Sequence, residues 1–207
     1  MKILVLGANG RTGKLVVDYA LSRGHQVAGL VKSSWDDAPA NVKVVVGDVN
    51  NYEDIYKALP GIDVVISTVG HVKGSDKRMQ TNMIDNIIRA IGSTDYGIKI
   101  VSLTGTGVRL KGDMITPIDL LLNIAVKVLD SNRVKDGTEH FKHLQESSIN
   151  WSVVRVLKLT SGNSMQYRLS ENGPAKTFVS RLEVARALVE VAESSSWDKK
   201  APIIRNV

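Results

Sequence analysis

The sequence predicts a doubly wound α/β fold with a parallel sheet and a small C-terminal portion that completes the substrate cleft. Apolar strand patterns alternate with helical patterns along most of the 207 residues, which is the order of a parallel sheet covered by helices on both faces. The first strand pattern ends in three glycines, and a helical pattern follows them at once. No repeat or linker interrupts this order, so residues 1–207 are expected to form one domain.

The spacing of apolar side chains predicts each strand of the sheet and each helix that covers it. The strands are short apolar or β-branched runs, and the helices carry apolar residues at intervals of three and four. The predicted strands are residues 3–6, 26–31, 42–46, 62–67, 98–103 and 151–156. The predicted helices follow the glycines directly and then cover 52–59, 77–91, 118–129 and 133–146.

The last quarter of the chain has a different pattern, which predicts a wall of the cleft beyond the strand ends. Residues 165–170 alternate like a short exposed strand, and Asn172-Gly173-Pro174 ends that pattern. Ser180 and Glu183 have the capping-box spacing of a helix that runs to about residue 193. Ile203-Ile204 is expected to form a final strand.

Composition excludes several functional classes. The net charge is +6, but Lys and Arg are scattered, so we expect no nucleic-acid partner and attribute the charge to solvation and steering of an anionic cofactor. No apolar run approaches the roughly 18 residues that span a bilayer, and the first strand leaves no room for a signal peptide. A cytoplasmic protein without a membrane partner is expected. The chain has no cysteine, and His140 and His143 lack a nearby third ligand, so no metal is expected.

The glycine turn, Gly7-Ala8-Asn9-Gly10-Arg11-Thr12-Gly13, carries the most specific chemical signal. Strand, tight turn and helix in this order place a phosphate on a helix N-terminus. The first glycine would allow the sharp turn, the second would let amides approach a pyrophosphate, and the third would let the helix pack close to the strand. We therefore predict dinucleotide binding by Gly7, Asn9, Gly10, Arg11, Thr12 and Gly13. An ordinary strand-helix turn is the alternative.

The end of the second strand indicates which dinucleotide is bound. A carboxylate that binds the ribose 2′-hydroxyl is expected about 20 residues after the glycines, but the strand is followed by Lys32, Ser33 and Ser34, with no acid before Asp36. A lysine and hydroxyls suit a 2′-phosphate, and Arg11 adds a second cation. NADP(H) is therefore favoured over NAD(H), with Lys32 and Ser33 as phosphate ligands. The alternative is that Lys32 is a solvated lysine at a strand end.

Together with five further segments, the glycine turn resembles the atypical short-chain dehydrogenase/reductase superfamily. Within it, the chain is similar to the small Rossmann-like NAD(P)H-binding branch of flavin reductase, biliverdin-IXβ-reductase-like and NmrA-like proteins. The segments are 47–49, 63–70, 101–104, 149–155 and 180–187, in the family's order.

This resemblance implies roles for residues at the matching positions. Asp48 and Val49 would flank the adenine, and Thr68, Val69 and Gly70 would run beside the ribose and pyrophosphate. The alternative interpretation of Asp48 is that it belongs to a simple turn at the end of a strand. Arg155 lies at a strand end near the expected cleft, where it would contact substrate or form a structural ion pair.

The resemblance fails at the usual catalytic pair. Carbonyl-reducing short-chain dehydrogenases use a Tyr-x-x-x-Lys pair, in which the lysine lowers the pKa of the tyrosine. Lys135 stands where the lysine would be, but Ser131 replaces the tyrosine. Thr104 is near the position of the companion hydroxyl, although the register places Gly105 there. Thr104 and Lys135 are the catalytic candidates, and an alcohol dehydrogenase, sugar-nucleotide enzyme or isomerase is disfavoured.

A reaction that needs no acid from the protein remains possible without the catalytic tyrosine. Hydride can pass from nicotinamide to a stacked flavin or similar ring, while the protein supplies positioning and solvent supplies the proton. The chain is therefore expected to be an NADPH-dependent flavin reductase. The alternative is a non-catalytic NADP(H)-sensing regulator with a protein partner.

Three further features are expected on the side of the sheet where the ligand binds, and each has two interpretations. His71 and Arg109 are candidate substrate contacts or solvated loop residues. The apolar segment 114–129 either covers the pocket or is plain core.

Overall fold

A computed structural model describes residues 1–71, 74–94 and 96–207. Its strands are β1 (Lys2–Leu6), β2 (Gln26–Val31), β3 (Val42–Val46), β4 (Val64–Ser67), β5 (Lys99–Gly105), β6 (Trp151–Val156), β7 (Lys158–Thr160), β8 (Arg168–Ser170), β9 (Phe178–Ser180) and β10 (Ile203–Arg205). Its α-helices are α1 (Arg11–Ser22), α2 (Tyr52–Ala58), α3 (Met79–Gly92), α4 (Pro117–Leu129), α5 (Ser131–Glu146) and α6 (Arg181–Glu193).

The central sheet has eight strands in the order β3-β2-β1-β4-β5-β6-β10-β8. Its neighbouring strands run parallel except for β8, which is antiparallel to β10. Helices α1 and α6 cover one face, and α2, α3 and α5 cover the other, each over its own apolar core. The predicted doubly wound, mostly parallel α/β fold is confirmed.

The C-terminal portion contains strands that the sequence pattern missed. Strands β7 and β9 pair in parallel as a separate two-stranded sheet, and the strand expected over 165–170 shortens to β8. Three-residue strands are too short to show alternation. The predicted capping box is present, because Ser180 caps α6 and the Glu183 side chain accepts from the Ser180 backbone N–H.

Helix α4 differs from the core interpretation of its apolar pattern, while its role as a cover of the pocket stays a prediction. Within this helix, Asp119 is the buried residue, whereas most of its apolar side chains are exposed. Segment 114–129 is therefore not core, although its position before α5 is as expected. None of the helices in the described ranges is long and apolar enough to cross a membrane.

His140 on α5 is a fully buried ionisable group. Neither of its ring nitrogens has a hydrogen-bond partner among the described residues. Burial disfavours the charged imidazolium and lowers the His140 pKa to about 4. The side chain therefore acts as a neutral core residue at neutral pH.

We expect the H140L variant to lose part of the acid sensitivity of folding. The unfolded chain binds a proton at His140 below about pH 6.5, whereas the folded chain does not until about pH 4, so acidification through this range destabilises the parent. At pH 5 this single group costs on the order of 2 kcal/mol. Urea unfolding of parent and variant at pH 7.5 and pH 5 measures the difference. If parent and H140L lost the same amount of stability between pH 7.5 and pH 5, His140 would not be the source of the acid sensitivity.

Candidate functional site

The candidate site lies at the carboxyl ends of the central strands. The strand order reverses between β1 and β4, and ligands of open parallel sheets bind in the crevice at such a point. Leu6 pairs with Leu30 of β2 on one side and with Ser67 of β4 on the other. The glycine turn and the ends of β2 and β4 therefore meet at one edge.

The glycine turn has the geometry that its sequence predicts. Gly7 has a φ of +74°, and the Gly10 amide donates to the Gly7 carbonyl at 3.0 Å. A Cβ atom at Gly13 would lie 2.0 Å from the Gly7 carbonyl oxygen, a distance at which backbone must shift. Only glycine at position 13 lets α1 begin this close to β1.

The start of α1 is open to an anion. Its N-cap, Gly10, has no side chain to offer, and the first turn contains no acidic residue. The N–H groups of Arg11, Thr12 and Gly13 have no acceptor within the helix. By contrast, side chains cap α2, α4, α5 and α6. An uncapped helix N-terminus after a glycine turn suits a phosphate group.

The end of β4 packs against the turn. Thr68 donates its hydroxyl to the Leu6 carbonyl at 2.9 Å, and a Cβ atom at Gly7 would lie 3.2 Å from a Val69 methyl carbon. Among the described residues, none has an atom within 4 Å of a Cβ position at Gly70. Asn9 is half-buried in the same turn.

Lys32 and Asp48, two predicted cofactor residues, form an ion pair across the ends of β2 and β3. Their Nζ and Oδ2 atoms are 3.2 Å apart, and the lysine side chain is 83% exposed. The backbone N–H of Asn50 and the Lys32 ammonium hold the pKa of Asp48 below its usual value. Ser33 is exposed beside Lys32, and Val49 packs at the margin of the core.

His71, a candidate substrate contact, is tied to α5. Its Nε2 atom lies 2.7 Å from Oδ2 of buried Asp136, which also accepts from the backbone N–H groups of Gln80 and Thr81. His71 is thus not a solvated loop side chain. Arg109, the other candidate, is exposed.

Lys135, a catalytic candidate, is exposed and does not lie on the side of α5 that packs on β5. A Cβ atom at Gly137 would lie 2.9 Å from the Thr104 hydroxyl, so Gly137 marks the face of α5 that packs on β5. Two residues turn a helix by about 200°, and Lys135 is accordingly exposed. Thr104 is buried beneath α5. Asp136 is the inward carboxylate that sequence reasoning missed, because spacing alone did not orient this polar helix.

Arg155 forms a structural ion pair, which is the alternative that the sequence offered to a substrate contact. The fully buried guanidinium pairs with Asp113 through two hydrogen bonds of 2.5 and 3.0 Å. Its remaining N–H groups donate to the carbonyls of Ala201, Val108 and Glu171. All five guanidinium N–H donors are therefore engaged, and none is left for a ligand.

A second arginine lies near the glycine turn. Arg181 begins α6 and donates to the Ser161 hydroxyl at 3.1 Å. Burial lowers the pKa of Arg181, and the neighbouring Arg11 cation lowers it further. Two guanidiniums thus stand near the uncapped start of α1. The capping-box pattern located Ser180, but no spacing in the sequence indicates that position 181 approaches position 11.

Comparison with known families gives one match over most of the chain. A family profile described as NAD(P)H-binding matches residues 7–195. Among curated relatives, eugenol synthase 1 from Petunia hybrida is 37% identical over 100 residues, which cover 43% of this chain and 32% of that protein. Isoflavone reductase homolog P3 from Arabidopsis thaliana is 36% identical over 100 residues, 43% of this chain and 31% of that protein. The chain spans about a third of the length of these relatives.

Solved structures share the fold over the whole chain. A proposed NADH-flavin reductase from Streptococcus pneumoniae superposes with a TM-score of 0.80 at 20% identity, covering 100% of both chains. The anaerobillin reductase ChuY from Escherichia coli O157:H7 gives 0.79 at 18% identity, covering 100% of this chain and 97% of its own. At these identities the likeness shows the fold.

We expect R155M to lose stability rather than ligand affinity. Removing the guanidinium leaves the Asp113 carboxylate buried without its cation, which costs about 3–5 kcal/mol. R133M is the matched control, because the Arg133–Asp130 pair is exposed and worth less than about 1 kcal/mol. Urea unfolding measures both variants. An R155M protein of parental stability that binds its substrate more weakly would restore the ligand role.

Proposed function

The chain belongs to the NAD(P)H-binding family, and we propose that it is an NADPH-dependent reductase that transfers hydride to a flavin or a similar conjugated ring. The observation that carries the proposal is the uncapped start of α1 behind the glycine turn, at the crevice between β1 and β4. This arrangement offers backbone donors to a pyrophosphate. The reductase names of the two structural neighbours support hydride transfer, although the first of them names NADH rather than NADPH.

In this proposal each part of the edge holds one part of the cofactor. Gly7, Asn9, Gly10, Arg11, Thr12 and Gly13 surround the pyrophosphate, and Arg181 adds positive charge there. Asp48 and Val49 flank the adenine, while Thr68, Val69 and Gly70 line the ribose. Lys32 and Ser33 bind the 2′-phosphate. To do so, Lys32 breaks its ion pair with Asp48 and pairs with the phosphate instead.

The reaction is one that this chain can perform without a tyrosine acid. Bound NADPH supplies the hydride, and an oxidised flavin accepts it with a proton from solvent. The protein then contributes binding and orientation. Lys135 is exposed on α5, and the His71–Asp136 pair, near the end of β4, shapes the edge where a substrate would bind.

A non-catalytic NADP(H)-sensing regulator would use the same cofactor residues. The absence of a Tyr-Lys pair on the inward face of α5 favours this second function. A cytoplasmic location remains a prediction for both.

NADPH oxidation at 340 nm with FMN, riboflavin or a quinone separates the two functions. We expect the parent and the K135A variant to oxidise NADPH. The G10V variant should fold but should neither bind the cofactor nor oxidise it. A Cβ atom at Gly10 would lie 3.1 Å from the Gly7 carbonyl oxygen, so a branched side chain would crowd the turn that is proposed to hold the pyrophosphate. NADPH binding by the parent without oxidation by any acceptor would favour the regulator. Parental binding by folded G10V would remove the glycine turn from the site.

We expect the parent to bind NADPH more tightly than NADH by about 10- to 100-fold, because a charge-assisted phosphate contact contributes about 1.5–3 kcal/mol. K32A should lose most of this preference. K43A, an exposed lysine on the adjacent strand β3, should keep it. Fluorescence titration with both cofactors measures the ratio, and equal or tighter NADH binding by the parent would refute the preference.

A further inference from the structure

Helix α4 has its polar and apolar sides reversed relative to a helix packed on a core. The outward side chains of Leu121, Val128 and Leu129 are 66%, 78% and 85% exposed. A surface helix ordinarily turns its apolar stripe inward and its polar face to water. The exposed apolar surface continues over Met114, Ile115, Ile118, Leu120, Ile124 and Val126.

Polar contacts hold α4 in this orientation. Asp119 accepts a hydrogen bond of 3.0 Å from the Thr106 hydroxyl, which in turn accepts from Asn123 at 3.0 Å. Thr116 caps the helix by accepting from the Asp119 backbone N–H at 3.1 Å. These polar groups face the protein, so the outward apolar face is a fixed feature of the fold.

The charges around this face are positive on balance. Asp113 pairs with Arg155, Asp119 is buried, and the half-exposed Asp130 pairs with Arg133 at 3.4 Å. The remaining exposed cations on α4 and on the segments before and after it are Arg109, Lys111, Lys127 and Lys135. An apolar surface bordered by lysine and arginine is complementary to an anionic lipid surface.

A second copy of the chain fits this face less well. Two copies that meet through the nine large exposed apolar residues of this face would bring equal sets of cations together. An anionic bilayer does not have this disadvantage.

We propose that α4, with the apolar residues that precede it, docks onto the surface of an anionic lipid bilayer. The helix lies in the interface with Leu121 and Val128 among the acyl chains and the cations among the headgroups. The expectation of no membrane partner rested on the length needed to span a bilayer, and a helix that lies in the interface does not need that length. This inference is independent of the proposed reductase activity.

Vesicle co-sedimentation of the full chain tests the proposal. The probes are phosphatidylcholine vesicles with and without phosphatidylglycerol. We expect the parent to pellet with the anionic vesicles only, and more weakly as salt is raised. The double variant L121Q/V128Q should bind at least about tenfold more weakly. The pair K127Q/K135Q should lose the preference for anionic lipid.

V46Q is the matched control, because Val46 is 62% exposed on the edge strand β3 and is not part of the apolar face of α4, and it should pellet like the parent. Thermal melting checks the fold of each variant. Failure of the parent to pellet with anionic vesicles, or parental pelleting by L121Q/V128Q, would overturn the proposal. So would light scattering that shows a parent dimer and a monomeric L121Q/V128Q variant, because a second copy would then cover α4. NADPH titration of the same variants tests the proposed function separately.

Discussion

The close approach of α1 to the end of β1 is the constraint on which the candidate site depends. The Gly7 carbonyl oxygen occupies the space where any residue other than glycine at position 13 would place its Cβ atom. This contact brings the first turn of α1 to the crevice between β1 and β4 and leaves its amides without a cap. Thr68 fixes the neighbouring strand end to the same turn. The positive end of a helix dipole is thus held at one point of the sheet edge.

The interior polar network explains which chemistry the rest of the site can support. Asp136 is saturated by backbone amides and by His71, and Arg155 is saturated by Asp113 and three carbonyls. Asp136 holds the first turn of α3 and His71, and Arg155 holds the segments around it, so neither offers a free acid or cation. Helix α5 also contains no tyrosine. Hydride transfer to an acceptor that takes its proton from water fits this arrangement.

The features that sequence analysis predicted well are those controlled by local chemistry. The glycine turn, the parallel strands and the α6 capping box each follow from neighbouring residues. The features that it did not predict concern side-chain direction. Lys135 and Asp136 are adjacent in a largely polar helix, so the pattern did not show which faces inward, and Arg155 meets Asp113 across 42 residues of chain. The exposed face of α4 could not be predicted, because an apolar helical pattern ordinarily indicates burial.

The central claim is that the uncapped amides of α1 bind the cofactor pyrophosphate. The most direct test is a titration of ¹⁵N-labelled protein with NADPH, followed through the backbone amide resonances. We expect large shifts of the Arg11, Thr12 and Gly13 resonances that saturate with the cofactor, while the amide resonances of α4 do not shift. Saturable NADPH binding that leaves the start of α1 unshifted would contradict it.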